Sequence, residues 1–298
     1  MKVGILRCEN LPAFAEGDIK DYDELFDDDR LLIAGFESQG HEASSIIWSD
    51  PNIEWEKFDM AIIRSTWDYI DRREEFLNVL SKIESSQCKL FNPLNAVRWN
   101  SDKLYLFELQ QWEIPIIPTY KADECDFMVL QNYFAENNWQ EAVIKPAVGA
   151  GGAGVQRILI NEIAKEYKNL SLKQTHQKYL IQPLINSVIS EGEYSYIYIN
   201  GDLSHVLLKK PAHGDFRAHG IYGGTIVYVE PEKNDILQAD NIMTKLPFDV
   251  LYARLDLARI DNTLAVMEIE LIEPVLYFNL ASGGIEQMVN AAIMKSKG

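Results

Sequence analysis

The chain has 298 residues and a formal net charge of −17, from 45 acidic and 28 basic side chains. A chain of this length favours two or three subdomains around a shared cleft over one compact domain. The acid excess argues against nucleic acid or an anionic membrane as a partner. Local lysines, backbone amides and a divalent cation can still bind a nucleotide on an acidic protein.

The cysteines and the N-terminus favour a cytoplasmic protein. The three cysteines are scattered, at Cys8, Cys88 and Cys125, and no two of them form a Cys-x-x-Cys pair. This spacing indicates free thiols in a reducing compartment and not a disulfide framework or a zinc site. Residues 1–7 have a short strand pattern without the long apolar region of a signal peptide. No segment approaches the roughly 20 apolar residues that cross a bilayer.

Strand and helix patterns alternate over the first ninety-odd residues. Apolar strands are predicted at 3–6, 43–48 and 60–63, and amphipathic helices at 23–39 and 72–86. This alternation predicts a parallel sheet, whose ligands bind at the carboxyl ends of the strands. Polar segments follow two of those ends, at 7–10 and 64–69.

Turn residues at 92–95 separate this region from the remainder of the chain. A helix is predicted at 100–111, with Asn100 or Ser101 as its cap, before Pro115 and Pro118 break the pattern. A small α+β unit is predicted from 119 to about 180. Strands are then predicted at 194–199, 203–209, 224–229, 252–260 and 264–269, followed by a helix at 284–294.

A glycine-rich segment at 149–154 formally matches the G-x-G-x-x-G fingerprint of dinucleotide-binding folds. That fingerprint opens a helix, whereas residues 155–160 have the pattern of another strand. A glycine turn between two strands can be a flap whose amides fold over phosphates, or a hairpin turn without a ligand. A Walker-type loop is excluded because no Gly-Lys-Ser/Thr follows the glycines.

Lys145 favours the phosphate flap. It ends the strand at 142–144 and precedes the loop by four residues. A lysine at that place is a point charge suited to a nucleotide phosphate, and an ordinary surface lysine is the alternative.

Three carboxylates near the C-terminus predict a metal site. Glu268 and Glu270 are two residues apart in a strand and therefore project from one face, and the preceding strand can present Asp256 beside them. Two like charges in an apolar strand are costly unless a cation lies between them. Oxygen ligands of this kind suit Mg²⁺ bound jointly with phosphates, and a solvated edge strand is the alternative.

From about residue 92 to the C-terminus, the order and spacing of these segments resemble the ATP-grasp superfamily. The resemblance is strongest to members related to bacterial glutathione synthetase, the ribosomal S6 glutamate ligase and the D-cycloserine-forming ligase. The segments that carry it are Asn100-Ser101-Asp102-Lys103, Val143-Ile144-Lys145-Pro146, the glycine loop, Ile181-Gln182-Pro183-Leu184-Ile185, Gly192-Glu193, Lys209-Lys210, Gly214-Asp215-Phe216-Arg217 with Gly223-Gly224, Asp256, and Glu268-Ile269-Glu270.

The resemblance implies an ATP-grasp fold of α/β and α+β class, preceded by an N-terminal domain with a parallel sheet. The expected units are 1–95 for this pre-ATP-grasp domain, 96–182 for the small subdomain with the flap, and 183–298 for the C-terminal subdomain with the metal site. The polar segment at 64–69 would face the substrate.

The resemblance also implies roles for single residues. ATP would contact Lys103, Lys145, Gly151, Gly152, the main chain of Gln182, Pro183, Leu184 and Ile185 around adenine, and Glu193 near the ribose. Asp256, Glu268 and Glu270 would hold two Mg²⁺ ions, with Mn²⁺ as an alternative. Arg217 and Arg254, with Lys209 or Lys210, would stabilise the acyl-phosphate and tetrahedral states, because negative charge develops there.

The sequence departs from the family pattern at Glu270, where Asn is frequent, and at Glu273-Pro274, which replaces a small-residue turn. An extra carboxylate there could tune metal binding or hold a substrate amine.

The implied activity is an ATP-dependent ligation of a carboxylate with an amine, or a cyclisation, through an acyl phosphate. The substrate would be an amino acid or a small peptide. The expected assembly is a homodimer, because dimers are the commonest oligomers of soluble proteins. A grasp-fold ATP-binding regulator without ligase chemistry, as synapsins resemble, is the alternative. A dinucleotide oxidoreductase is a third reading, based on the glycine motif alone.

Overall fold

The computed structural model describes residues 1–11, 26–173, 177–218 and 223–297. Its first sheet has four parallel strands in the order β2-β1-β3-β4, which are Lys2–Arg7 (β1), Glu42–Ile47 (β2), Met60–Ile63 (β3) and Lys89–Phe91 (β4). Helices Asp27–Ser38 (α1) and Arg73–Glu84 (α2) connect them. The predicted parallel sheet is confirmed. The predicted start of α1 at residue 23 lies outside the described residues.

The predicted turn at 92–95 is confirmed only at Asn92 and Pro93, because a helix begins at Leu94, and the helix predicted at 100–111 is confirmed at 105–111 but broken before that. Helix Leu94–Asn100 (α3) begins directly after Pro93, and Tyr105–Gln111 (α4) follows a short turn. The break between them has a physical cause. Lys103 N donates to Ala147 O at 2.8 Å, and the Asn100 side chain bonds the main chain at Ile269 and Leu271. Asn100 therefore ends one helix instead of capping the next.

The second sheet has the order β5-β8-β6-β7 and is antiparallel. Its strands are Tyr120–Lys121 (β5), Glu141–Pro146 (β6), Gln156–Leu159 (β7) and Tyr179–Pro183 (β8), with helices Phe127–Glu136 (α5) and Ile163–Lys173 (α6). The glycine segment connects the antiparallel pair β6 and β7. The strand predicted after the glycines is thus confirmed, and no helix opens within the motif.

The third sheet has five antiparallel strands in the order β11-β10-β9-β12-β13. They are Glu193–Ile199 (β9), Asp202–Lys210 (β10), Thr225–Tyr228 (β11), Tyr252–Ile260 (β12) and Thr263–Glu270 (β13). Helices Asn186–Ser190 (α7), Lys233–Lys245 (α8) and Gly284–Lys297 (α9) accompany them. The sequence reading missed α8. Its buried positions are Asp235, Ala239, Ile242 and Met243, and an acid at the first of them obscures the apolar period.

The third sheet is buried on both faces, and successive residues of β9 show this alternation. Tyr196 and Tyr198 pack in the core that includes α4 and α8. Ile197 and Ile199 pack in the core shared with β1, β3 and α9. The C-terminal sheet is therefore held between its own helices and the N-terminal unit. No helix within the described ranges is long and apolar enough to span a membrane.

Helix α1 contacts the C-terminal third of the chain at Asp28 and at Gly35. Asp28, in the first turn of α1, accepts hydrogen bonds from the main-chain N–H groups of Leu276, Tyr277 and Phe278 at 2.6, 3.1 and 3.0 Å. Gly35 lies so close to α9 that a Cβ there would meet Ile285 at 2.7 Å. The first contact fixes the loop that follows β13.

Asn92 is a buried joint between the N-terminal unit and the C-terminal sheet. Its side chain is fully buried, its Nδ2 donates to Tyr252 O and Leu271 O at 2.8 Å each, and its Oδ1 accepts from Leu251 N at 2.6 Å. Each of these main-chain groups would lose its partner without the amide.

Replacement of Asn92 by alanine should destabilise the protein by about 3 kcal/mol, because buried main-chain groups left unpaired cost about 1–3 kcal/mol each. The urea midpoint of unfolding measures the effect. Asn52→Ala is the matched control, since in the described part of the chain the exposed Asn52 side chain bonds the Asp50 carboxylate alone. Equal midpoints for the two variants would contradict the role of the joint.

Candidate active site

A cavity of about 1010 Å³ lies between the second and third sheets, with the N-terminal unit at one end. It is lined by most of the side chains and segments that the sequence singled out. These are Lys103, Lys145, Gly151, Gly152, Gln182, Pro183, Leu184, Ile185, Glu193, Arg217, Arg254, Asp256, Glu268 and Glu270. Residues far apart in the chain therefore converge on one space.

Lys209 and Lys210 do not line this cavity. They are consecutive in β10, so they point to opposite faces of the sheet. Lys209 is buried beneath the site, where its Nζ pairs with Glu193 and with Asp256 Oδ1, the latter at 3.2 Å. Lys210 is exposed. Of the two lysines offered by the sequence, the structure places Lys209 next to the site and Lys210 away from it.

Asp256 is the centre of a buried ion network. Arg254 stands two residues before it on the same face of β12 and donates to both of its oxygens, from Nε at 3.0 Å and Nη2 at 2.9 Å. Ser195 Oγ and Lys209 Nζ donate to the same carboxylate. Burial opposes the charge, but Arg254 and Lys209 hold the pKa of Asp256 well below its usual range. Both carboxylate oxygens are thus already engaged.

Glu268 and Glu270 are offset by cations from other elements. Glu268 pairs with Lys103 at 2.9 Å, and Glu270 pairs with Arg254 Nη2. Although burial opposes it, Lys103 lowers the pKa of Glu268. Burial raises the pKa of Glu270 to about 7, and Asp256 and Glu268 act in the same direction against the opposing charge of Arg254. The repulsion expected between the two acids therefore contributes to the raised pKa of Glu270.

Lys103 and Lys145 form the cationic end of the cavity. Lys103 Nζ donates to Gly149 O at 2.5 Å, which ties the start of the glycine loop to Glu268 on β13. Lys145 Nζ donates weakly to Met267 O at 3.4 Å. Burial lowers the pKa of Lys145 to about 8, and neighbouring Lys103 acts in the same direction.

The glycine loop has the backbone that the sequence predicts for a flap. Gly151, Gly152 and Gly154 have φ values of 60°, 72° and 71°, a region that residues with a Cβ rarely adopt. The loop spans the two antiparallel strands β6 and β7 and lines the cavity with Lys145. Its main chain can therefore approach a bound phosphate closely.

The segment expected around adenine is the end of β8. Gln182 is turned to Thr119, whose Oγ1 accepts from its Nε2 at 2.8 Å, and Leu184 N donates to Glu141 O at 3.0 Å. Apolar side chains complete a slot beside it, and they are Ile117, Val143, Val188, Met267 and Ile269. The sequence analysis gave none of these five residues a role in binding, although Val143 and Ile269 stand in segments that carry the family resemblance, because an apolar residue in a strand carries no signal that separates a ligand wall from a core.

Arg217 lines the cavity and forms a bidentate pair with Asp215, with Nη2 to Oδ2 at 2.9 Å. Hydrogen bonds from Arg217 lower the pKa of Asp215 to about 2. The carboxylate of Asp215, two residues earlier in the same turn, therefore orients the Arg217 guanidinium.

The far wall of the cavity comes from the N-terminal unit and from the loop after β13. Trp67 and Tyr69 follow β3, as the polar segment at 64–69 predicted, and Glu273 and Tyr277 face the same space. Burial, and next the charge of Glu270, raises the pKa of Glu273 to about 8, so without a bound cation it holds a proton at neutral pH.

The fold and the cavity define an ATP-grasp protein, and comparison with known families agrees. Residues 3–92 match the N-terminal domain of D-cycloserine synthetase DcsG. Residues 103–279, more than half of the chain, match the ATP-grasp domain of prokaryotic glutathione synthetase, and the chain belongs to this ATP-grasp family.

Individual relatives extend the likeness over almost the whole chain. The cycloserine biosynthesis protein DcsG of Streptomyces lavendulae is 26% identical over 283 residues, 89% of this chain and 93% of that protein. A glutathione synthetase of Ralstonia nicotianae is 25% identical over 215 residues, 72% of this chain and 57% of that protein.

Solved structures show the same fold. The crystal structure of D-cycloserine synthetase DcsG has a TM-score of 0.79 at 22% identity, over 99% of this chain and 100% of that chain. A Bacillus anthracis D-alanine–D-alanine ligase complexed with ATP has a TM-score of 0.69 at 16% identity, over 100% of this chain and 97% of that chain.

These matches make the chain an ATP-dependent ligase that forms a carbon–nitrogen bond. The predicted ATP-grasp fold, N-terminal parallel-sheet unit and enzyme class are confirmed. The oxidoreductase reading of the glycine motif is wrong, because two strands flank the loop where that motif requires a helix. The domain limits at residues 95 and 182 and the roles of single site residues stay predictions.

Binding of the ATP analogue AMP-PNP with Mg²⁺ should weaken as the pH rises. With its pKa lowered to about 8, Lys145 is charged at pH 7 and mostly neutral at pH 9. The dissociation constant should increase roughly tenfold between these values. Lys145→Arg should flatten this dependence, since a guanidinium stays charged.

Titration calorimetry at pH 7 and pH 9 measures the ratio for wild type, Lys145→Arg and the control Lys210→Arg. The exposed Lys210 should leave the wild-type ratio unchanged. A Lys145→Arg ratio equal to that of wild type would contradict the assignment of the titrating group.

Proposed function

We propose that the chain activates a substrate carboxylate by phosphorylation with ATP and passes the acyl group to an amine, on an amino acid or a small peptide. One observation carries the proposal. A single cavity brings together the cations Lys103 and Lys145, the glycine flap, Arg254 and the carboxylates Glu268 and Glu270. Groups suited to a polyphosphate and its metal ion thus share one space with Arg254, a group suited to a reacting acyl centre.

The donor set fits Mg²⁺ held jointly with ATP. Among the described residues, no three or more His, Cys, Asp or Glu side chains form a metal cage on their own. Glu268 and Glu270 nevertheless reach the cavity with side chains 30% and 23% exposed, and Mg²⁺ usually takes one or two carboxylates, with phosphate oxygens and water completing its shell. The ion would neutralise phosphate charge. Asp256, already bound by Arg254 and Lys209, would support the site from beneath.

The residues of the chain supply positioning and charge. Lys103 and Lys145 hold the β- and γ-phosphates, and the flap amides cover them and exclude water from the acyl phosphate. A carboxylate oxygen of the substrate attacks the γ-phosphorus, and ADP leaves. The amine then attacks the acyl carbon, phosphate leaves, and Arg254 and Arg217 stabilise the oxyanion formed on the way. When acid and amine belong to one molecule, the product is a ring.

The cysteines support a reducing cytoplasm as the location. Cys8 and Cys88 are buried and Cys125 is partly exposed, all as free thiols. Such thiols persist where glutathione and thioredoxin keep them reduced.

The decisive experiment offers the enzyme ATP with amino acids and dipeptides, singly and in pairs, and records ADP release together with product mass. We expect ADP in proportion to an amide or cyclic product that has lost one water relative to its precursors. ATP binding without ADP from any combination would favour the regulatory alternative.

Glu268→Gln should lower ADP release at least about 100-fold, because a charged oxygen is removed from the phosphoryl-transfer site. The fold should persist, since Lys103 keeps its bond to Gly149 O. Glu286→Gln, at an exposed position of α9, is the matched control and should keep full activity. Near wild-type turnover in Glu268→Gln, with an unchanged circular dichroism spectrum, would remove this residue from the site.

A further inference from the structure

Glu273 is held in place by the N-terminal unit through its main chain. Trp67 Nε1 donates to Glu273 O at 3.1 Å, and Arg64 Nη2 donates to Pro274 O at 2.6 Å. Both donors follow β3, at the carboxyl end of the parallel sheet. The loop after β13 is therefore fixed from outside the ATP-grasp part of the chain.

The carboxylate of Glu273 differs from the other acids of the cavity. Within the described residues, Glu193, Asp256, Glu268 and Glu270 each pair with a lysine or an arginine. The Glu273 carboxylate is partly buried and lines the cavity, yet it accepts no hydrogen bond and forms no ion pair in the part of the chain that the structure describes. Ionisation of this group without a partner is costly, so a cation that enters the cavity beside it would bind in exchange for the proton.

Neighbouring Arg64 does not compensate for this carboxylate. Its side chain is 2% exposed, its Nη2 is committed to Pro274 O, and its Nε and Nη1 have no hydrogen-bond partner among the described residues. Arg64 lies instead over the ring of Tyr252, 5.0 Å from the centroid, and 3.6 Å from Asp28. It thus acts on the main chain next to Glu273 and leaves the carboxylate to the cavity.

Aromatic rings narrow the chemistry of the ligand. Trp67, Tyr69 and Tyr277 line the same cavity as Glu273, and Trp67 contacts the main chain of Glu273 directly. An organic ammonium group can donate hydrogen bonds to a carboxylate while its charge faces aromatic rings. Among the described residues, no three or more His, Cys, Asp or Glu side chains surround this carboxylate as a metal cage would.

We propose that Glu273 binds the ammonium group of an amino-acid substrate. This inference rests on the proposed ligase function and names the class of its substrate as one with a free amino group. A carboxylate keeps its partner ammonium protonated, and a protonated amine is not a nucleophile. The bound ammonium therefore serves recognition, and a different atom of the substrates attacks the acyl phosphate.

Binding, measured apart from turnover, tests the proposal. The probes are the standard L-amino acids, D-alanine and D-serine, each paired with its N-acetyl derivative, added to the protein saturated with Mg²⁺ and AMP-PNP. For every amino acid that raises the melting temperature, the dissociation constant is then measured for wild type, Glu273→Gln and Glu56→Gln. Glu56 is an exposed glutamate of the N-terminal unit that does not line the cavity, so its variant controls for the change in net charge.

We expect at least a tenfold weaker dissociation constant in Glu273→Gln, no change in Glu56→Gln, and no binding of the N-acetyl derivatives. The affinity for AMP-PNP should stay within twofold in all three proteins, which shows that the cavity is intact. Equal amino-acid affinity in wild type and Glu273→Gln, equal affinity for the N-acetyl derivatives, or the absence of binding by every probe would overturn the proposal. Amino-acid binding that depends on Glu273, without ADP release, would instead count against the ligase function alone.

Discussion

The carboxylate of Asp256 is the point on which the C-terminal sheet and the site depend together. It accepts hydrogen bonds from Ser195 on β9, Lys209 on β10 and Arg254 on its own strand β12, and Arg254 passes the contact to Glu270 on β13. Removal of one charge from such a buried group leaves its partners uncompensated, at a cost of about 3–5 kcal/mol. The same ionic group thus links four strands and orients the Arg254 guanidinium beside the cavity.

Charge compensation in this molecule comes from residues distant in sequence. The spacing of Glu268 and Glu270 predicted a cation between them. In the structure, the side chain of Lys103 pairs with Glu268 and that of Arg254 pairs with Glu270. A divalent ion would have to share these oxygens with a lysine and an arginine. Movement of Lys103 toward a phosphate would release Glu268, so nucleotide and metal would each favour the binding of the other.

The sequence was sufficient where a pattern is local. Alternating elements predicted the parallel sheet, and the strand after the glycines separated the flap from a dinucleotide fold. It failed where the answer depends on register or on a distant partner. The sequence cannot distinguish Lys209 from Lys210 until the face of β10 that each occupies is known. The apolar period of α8 is obscured because its first buried position is Asp235, whose charge is neutralised at 2.6 Å by Arg259, a residue distant in sequence. The apolar slot around Met267 carries no chemical signature.

The packing of α1 against α9 has a consequence for synthesis of the chain. Gly35 meets Ile285 and Val289, and the core that holds Val3 and Ile5 also contains Met288 and Ala292. An emerging polypeptide exposes the β1 face well before its covering helix is translated, an interval on the order of tens of seconds at typical elongation rates. During this interval the apolar surface of the N-terminal unit is exposed to water and accessible to ribosome-associated chaperones.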